Sequence, residues 1–236
     1  MHKAETIKKE LKKIADKDKA KQLAGFFKTG KGQYGEGDIF IGITVPDQRK
    51  TAKLFSETEL PEIEKLLDDP IHECRLTALL ILIQKYSKAD DTEKKEITDF
   101  YLGKTSRINN WDLVDLSAHQ IIGNYYYSKN REILYRLVKS SNLWEQRIAV
   151  VSTYYFIKRN DFKEIVAFSE MLLDHKHDLI HKATGWMLRE AGKMDVSTLR
   201  KFLDKHHKVM PRTMLRYSIE KLDKTEREKY MTKIKY

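Results

Sequence analysis

An acid and an indole stand four residues apart in the segment WDLVD, where Trp111 precedes Asp115. In an α-helix this spacing places both side chains on one face, one turn apart. An indole face attracts cations and a carboxylate stabilises developing positive charge, so the pair suits a cationic ligand or transition state. A structural interpretation also fits the segment. In it Trp111 is core, Asp112 favours the helix N-terminus and Asp115 is solvated surface.

Two further motifs carry charge beside aromatic residues. In LWEQR, Arg147 lies early in a helical pattern, where a guanidinium can clamp a phosphate with two hydrogen bonds. The alternative for Arg147 is an intramolecular ion pair. In HKATGWMLR, Lys182 precedes Trp186 by one helical turn, and the neighbouring Gly185 leaves room for a close approach. Trp186 as a plain core residue remains the alternative.

The charge balance favours a polyanionic partner. Lys and Arg total 45 against 35 for Asp and Glu, which gives a formal net charge of +10 and a pI of about 9.4. Cys74 is the only cysteine, which excludes a disulfide framework and a cysteine zinc site and indicates a reducing compartment. Neither a secretory signal nor an apolar stretch of membrane-spanning length is present. We therefore expect a soluble, cytoplasmic protein.

The elements that must position these residues are helices. Apolar residues recur at i, i+3, i+4 and i+7 along most of the chain, and no stretch alternates with period two. Six of the ten glycines fall between residues 25 and 42, which predicts one irregular loop there. We expect a single domain over residues 1–236, made of an N-terminal helix at 4–27, a Gly-rich loop at 28–42 and helical repeats at 46–236. Short connectors are predicted at 68–70, 90–91, 140–142, 174–178 and 206–211.

Five segments align as the second helix of a repeated helix pair. They begin at residues 72, 109, 142, 177 and 208, about 31 to 37 residues apart, within reach of HEAT-like repeats. Arg75, Arg147, Lys182 and Arg212 hold nearly the same place in their segments, and a solenoid would line them up as a basic track. At that place the second segment has Asp112. The pattern predicts an all-α, HEAT-like α-solenoid.

The motifs WDxVD, LWxQR and GWxLRE, preceded by IGIxxP at 41–46, resemble the bacterial DNA alkylation repair protein family over nearly the whole chain. The resemblance implies a C-shaped solenoid whose basic concave face grips duplex DNA. It also implies a glycosylase that releases N3- and N7-alkylated purines without flipping them into a pocket. By the same resemblance, Asp115 is the catalytic carboxylate, Trp111 and Trp186 are the aromatic contacts beside the lesion, and Arg147 lies close to that carboxylate and the DNA backbone.

The resemblance also places Phe26 at a position that can be tyrosine, where we expect a DNA contact without a hydroxyl role. The cations that we expect to contact phosphate are Arg49, Lys182, Arg189, Lys193 and Arg212, together with Arg147. The acid and histidine cluster at 174–178 is interpreted as a polar turn between repeats, and neither a metal nor a cofactor is expected.

The partner is then double-stranded DNA that contains alkylated bases, bound by a monomer associated with the nucleoid. The alternative function is a non-catalytic helical-repeat protein that binds DNA structure, and a protein-interaction scaffold is a third class.

Overall fold

The computed structural model describes residues 3–232, and in that range the fold is all-α, as the sequence predicts. Extended backbone pairs there only at a single bridge between Ile39 and Ile71. The α-helices, in chain order, are α1 (Lys3–Lys13), α2 (Lys17–Phe26), α3 (Val45–Leu54), α4 (Leu60–Leu67), α5 (His72–Lys88), α6 (Asp91–Gly103), α7 (Trp111–Ala118), α8 (Asn124–Tyr126), α9 (Glu132–Val138), α10 (Leu143–Ile157), α11 (Lys163–Met171), α12 (Asp178–Met194), α13 (Val196–His206), α14 (Arg212–Ser218) and α15 (Lys224–Met231).

The chain forms two compact units, Met1–Ser117 and Ala118–Tyr236. In the first unit α5 is central: it packs against α3, α4 and α1, and nearly every side chain from His72 to Leu82 is buried. A helix that is apolar over most of its circumference belongs in the interior of a helical stack. The first unit therefore has α5 as its core element.

In the second unit α10 and α12 are central. Helix α12 packs against α10 and α14, and α10 also packs against a π-helical turn at His119–Gly123 that continues α7. At Gly123 a Cβ would lie 2.3 Å from the Ser152 carbonyl oxygen, so only glycine permits this approach to α10. Such π-turns inside helices occur frequently at functional sites.

The five predicted connectors separate α4 from α5, α5 from α6, α9 from α10, α11 from α12 and α13 from α14. Each of the five aligned segments likewise contains the start of a helix, in α5, α7, α10, α12 and α14, and α14 begins four residues into its segment. The predicted connectors and helix starts are confirmed, whereas the HEAT-like repeat stays a prediction.

The prediction of one N-terminal helix over 4–27 is wrong, because two helices occupy this range. Helix α1 ends at Lys13, and Asp16 begins α2 by accepting hydrogen bonds from the backbone N–H groups of Asp18 and Lys19. An aspartate in this role starts a helix, because it satisfies backbone N–H groups that have no partner within the helix. None of the described helices is long and apolar enough to cross a membrane.

The Gly-rich loop is held at its C-terminal end by a buried acid. Glu73 of α5 accepts hydrogen bonds from the backbone N–H groups of Ile41, Gly42 and Ile43, at 2.8 to 3.2 Å. Gly42 has a φ of +87°, and a Cβ there would lie 2.0 Å from the carbonyl oxygen of Asp16. Glycine at this position lets the loop pass close to the start of α2.

Candidate functional site

Helix α7 carries the acid and the indole that the sequence singles out. Its start is fixed by Asn110, whose side-chain oxygen accepts a hydrogen bond of 2.8 Å from the Trp111 backbone N–H. The side chains of Trp111 and Asp115 are both half-buried, whereas Asp112 between them is buried. One face of α7 therefore presents an indole and, one turn later, a carboxylate.

The Trp111 indole ends a column of aromatic rings. It stacks on Phe27 with centroids 4.9 Å apart and planes 8° apart, and Phe27 stacks on Phe40 at 4.9 Å. Phe26, at the end of α2, is 65% exposed and meets Trp111 edge-on at 5.8 Å. The structure thus brings Phe26 next to Trp111, two residues that the sequence placed in one site only through a family resemblance.

Beneath this column lies a buried polar cluster, defined by Asp38, His72, Arg75, Asn110 and Asp112. The His72 ring joins two carboxylates, through Nδ1 to Asp38 at 3.1 Å and through Nε2 to Asp112 at 2.8 Å. Asp38 also accepts hydrogen bonds from Arg75 at 2.6 Å and Asn110 at 2.9 Å. The cluster connects the Gly-rich loop, the first turn of α5 and the start of α7.

The cluster shifts the acid–base equilibria of its members. Burial lowers the pKa of His72, but the two carboxylates outweigh burial and raise that pKa to about 9. Burial raises the pKa of Asp38, but the hydrogen bonds and charges of His72 and Arg75, with Asn110, outweigh it and lower the pKa to about 2. At neutral pH His72 is therefore an imidazolium and Asp38 a carboxylate.

Sequence reasoning missed His72 and Asp38. Asp38 lies in a loop whose composition indicates only irregular backbone, and His72 lies 34 residues away in the first turn of α5. Their pairing depends on the path of the loop over α5, for which no local pattern in the sequence is a signal. Asp112 was expected to favour a helix N-terminus. One of its oxygens does accept a hydrogen bond from the Leu113 N–H at 2.9 Å, while the other binds His72.

In the second unit, Trp186 lies on α12 and is half-buried. Its ring is 6.2 Å from that of Tyr154 on α10, and Tyr154 meets His119 edge-on at 5.2 Å. Burial lowers the pKa of His119 to about 4, so this imidazole is neutral at pH 7. Trp186 thus belongs to a row of aromatic rings that includes a neutral histidine.

The space beside Gly185 is already filled. A Cβ on Gly185 would lie 2.4 Å from the carbonyl oxygen of Met214 in α14, and 2.6 Å from the Cβ of Tyr217. The close approach that the glycine predicts is therefore the packing of α14 on α12.

Arg147 is buried in α10, with 4% of its surface exposed. Its Nη1 donates a hydrogen bond to the carbonyl oxygen of Leu179, in the first turn of α12. The guanidinium thereby links α10 to the first turn of α12. A contact between Arg147 and a phosphate stays a prediction.

The expected basic track does not occupy one environment. Arg75 is 2% exposed and bound within the buried cluster, so the prediction of Arg75 on a shared surface is wrong. Of the predicted DNA contacts, Arg49 is exposed on α3, and Arg212 is exposed and donates to the Met231 carbonyl oxygen at 3.1 Å. The others form ion pairs: Lys182 with Asp178 at 2.7 Å, Arg189 with Glu220, and Lys193 with Glu190 at 2.7 Å.

The histidines between α11 and α12 are engaged in the turn itself. His175 bonds through Nε2 to Gln146 and accepts through Nδ1 from the His177 backbone N–H, while His181 bonds to the His175 carbonyl oxygen. Within residues 3–232, no group of three or more His, Cys, Asp or Glu side chains is placed to hold a metal ion.

The comparisons with known proteins agree with this fold. The family model "DNA alkylation repair enzyme" matches residues 7–222. The chain is similar in structure to a predicted DNA alkylation repair enzyme from Enterococcus faecalis, with a TM-score of 0.69 and 17% identity over 89% of this chain and 97% of that one. It is also similar to AlkD2 from Streptococcus mutans, with a TM-score of 0.58 and 18% identity over 86% and 99% of the two chains. No curated protein sequence matches it significantly.

These structural likenesses show the fold alone, because their sequence identities are low. The family model, in contrast, spans both compact units and includes Trp111, Asp115, Arg147 and Trp186. The chain therefore belongs to the DNA alkylation repair enzyme family.

Proposed function

We propose that the protein is a DNA glycosylase that hydrolyses the N-glycosidic bond of N3- or N7-alkylated purines in duplex DNA, without flipping the base into a pocket. The observation that carries the proposal is the pairing of Asp115 with Trp111 on one partly exposed face of α7, in a chain of the DNA alkylation repair enzyme family. Asp115 is proposed as the catalytic carboxylate, and Trp111 and Trp186 as the aromatic contacts beside the lesion.

One carboxylate is enough for this reaction. Alkylation at N3 or N7 leaves the purine cationic, so the base departs as a neutral molecule when the bond to C1′ breaks, and no general acid is needed. The sugar then carries oxocarbenium-like charge, which a carboxylate facing it stabilises while it orients the attacking water. Water forms the new bond to C1′ and its proton passes to solvent.

The indoles give selectivity for the charged lesion. A cation over an indole face is stabilised by about 0.5 to 2 kcal/mol, an energy that a neutral purine does not gain. Because Phe27 and Phe26 already contact Trp111, its orientation is set before DNA binds. Preorganised groups of this kind avoid the cost of ordering them in the complex.

Phosphate contacts from cationic side chains supply the affinity. We propose Arg49, Lys182, Arg189, Lys193 and Arg212 for this role, with Phe26 as an exposed aromatic contact and Arg147 acting near Asp115 and the DNA backbone. The double-stranded DNA partner would be bound by a monomer at the nucleoid. Neutralised phosphates release counterions, so the logarithm of the affinity should fall linearly with the logarithm of the salt concentration.

The test is release of 7-methylguanine or 3-methyladenine from methylated duplex DNA. We expect Asp115→Asn to lower the release rate by roughly 10² to 10³-fold, because it removes the charge that stabilises the transition state. DNA affinity should change little. The matched control is Asp99→Asn, which makes the same substitution at an exposed residue of α6 that pairs with Lys95.

Two outcomes would contradict the proposal in different ways. A normal release rate in the Asp115→Asn protein would remove Asp115 from the mechanism. Salt-dependent DNA binding by the wild type without any base release would instead identify the second candidate function, a non-catalytic protein that binds DNA structure.

A further inference from the structure

The buried polar cluster holds both sequence neighbours of Trp111. Asn110, on one side, donates a hydrogen bond to Asp38, and Asp112, on the other, binds His72. Asn110 is fully buried and Asp112 is 6% exposed, so water competes little for these bonds. The backbone that carries the indole is therefore fixed on both sides by the same cluster.

His72 also supports the indole through the aromatic column. Its ring stacks on Phe40 with centroids 4.5 Å apart and lies 5.1 Å from that of Phe27. Phe27 in turn stacks on Trp111. His72 therefore belongs both to the polar cluster and to the aromatic column.

The two carboxylates of the cluster favour a protonated His72, against the opposing charge of the Arg75 guanidinium, which lies 3.3 Å from Nδ1. Two carboxylates, Asp38 and Asp112, face two cationic groups, the guanidinium of Arg75 and the imidazolium of His72. A neutral imidazole has one N–H and can donate to only one of the two acids. Loss of the proton would leave an excess negative charge in a buried site, which is costly.

We propose that His72 is a positioning residue for Trp111: as an imidazolium it joins Asp38 of the Gly-rich loop to Asp112 of α7, and so fixes the orientation of the indole. The Gly-rich loop takes part in this positioning, because it contains Asp38. For the catalytic consequence, this inference rests on the proposed function. Its structural consequence can be tested without any catalytic assay.

The first experiment measures the near-ultraviolet circular dichroism of Trp111, taken as the difference between a protein and the same protein with Trp111→Phe. We expect His72→Gln to change this difference spectrum at pH 7, because Asp112 loses its cationic partner. The control is Ile63→Ala in α4, which removes fully buried apolar volume outside the cluster. It should lower stability and leave the Trp111 spectrum unchanged.

The second experiment needs no variant of His72. In the wild type, the Trp111 difference spectrum should be constant from pH 7 to 8 and change with a midpoint near pH 9, where His72 loses its proton. An unchanged spectrum in His72→Gln, the same change in Ile63→Ala, or no transition near pH 9 would overturn the proposal. If His72→Gln does not fold, the wild-type titration alone decides.

The third experiment measures kcat and KM for release of 7-methylguanine. A mispositioned indole should lower kcat/KM by up to about 30-fold, the equivalent of the roughly 2 kcal/mol that an indole face gives a cation. Equal kcat/KM values for His72→Gln and wild type would contradict a role in catalysis. If the wild type releases no base, the proposed function is wrong, but the Trp111 spectra still decide the role of His72.

Discussion

Each of the two units places a histidine one aromatic ring away from a tryptophan proposed to contact DNA, but the two imidazoles are in opposite protonation states. In the first unit, His72 lies between Asp38 and Asp112, and its pKa is raised to about 9. In the second unit, His119 packs against Tyr154, and burial lowers its pKa to about 4. Removal from water acts in the same direction on both rings.

The carboxylates make the difference. Desolvation disfavours the charged form of either histidine, and only an opposite charge at hydrogen-bonding distance reverses that effect. The indole of the first unit therefore rests on an ionic cluster, and that of the second on a row of neutral rings. The two tryptophans that we propose as aromatic contacts are thus supported by physically different means, which respond differently to mutation and pH.

The largest expected effect is on stability, and it tests whether the ionic cluster differs from the neutral row. His72→Phe should lower the free energy of unfolding by about 3 to 5 kcal/mol, because it leaves two buried carboxylates with Arg75 as their cationic partner. His119→Phe replaces one neutral ring with another and should cost less than about 1.5 kcal/mol. Urea unfolding of both full-length variants measures this, and equal losses would remove the distinction.

The two histidines should make the free energy of unfolding change with pH in opposite directions. Folding raises the pKa of His72. Its contribution to the free energy of unfolding, about 3 kcal/mol, is therefore complete below pH 6.5 and is lost as the pH rises through 9. The pKa of His119 is lowered by folding, so its contribution is present above pH 6.5 and is lost as the pH falls to 4.

Asp38 should cause a further loss of stability as the pH falls from 3.8 towards 2, because folding lowers its pKa to about 2. Unfolding free energies between about pH 2 and 9.5 measure these windows. The loss of stability at alkaline pH should disappear in His72→Phe. Part of the loss of stability at acid pH should disappear in His119→Phe. If alkaline loss persisted in His72→Phe, a group other than His72 would be responsible.

A smaller effect is expected where α12 meets α14, beneath Trp186. Gly185→Ala should cost about 1 to 3 kcal/mol, since the new methyl group meets the backbone of Met214. The matched control is Gly25→Ala in α2, where no atom lies within 4 Å of the added Cβ. That change should stabilise the helix by up to about 1 kcal/mol, and thermal unfolding of both variants distinguishes the two outcomes.

The smallest effect on stability is expected at an exposed ion pair. Lys182→Ala breaks the pair with Asp178, whose side chain is 55% exposed, and should cost about 0.5 kcal/mol or less. If Lys182 contacts phosphate, the salt dependence of DNA binding should lose about one unit of slope. An unchanged slope in a titration against potassium chloride would exclude Lys182 from the interface.

The helical elements were largely predictable because their signals are local. Periodic apolar residues and the connectors at 68–70 or 174–178 identify helix ends from neighbouring residues alone. The break between α1 and α2 was missed, since the Asp16 cap was not distinguished within a continuous charged stretch. Trp111 and Asp115 could be placed on one helix face for the same local reason, as they stand one turn apart on a single helix.

The sequence by itself determined an all-α chain with an excess of positive charge and the order of its tryptophans and acids along successive helices. Only the tertiary structure decided that Asp38 and Asp112, which are 74 positions apart, bind opposite nitrogens of His72, and that Arg75 is buried in this cluster. It likewise decided that α14 packs against α12 at Gly185. The physical reason is that helix formation depends on nearest neighbours, whereas burial and charge pairing depend on which distant segments the packed core brings into contact.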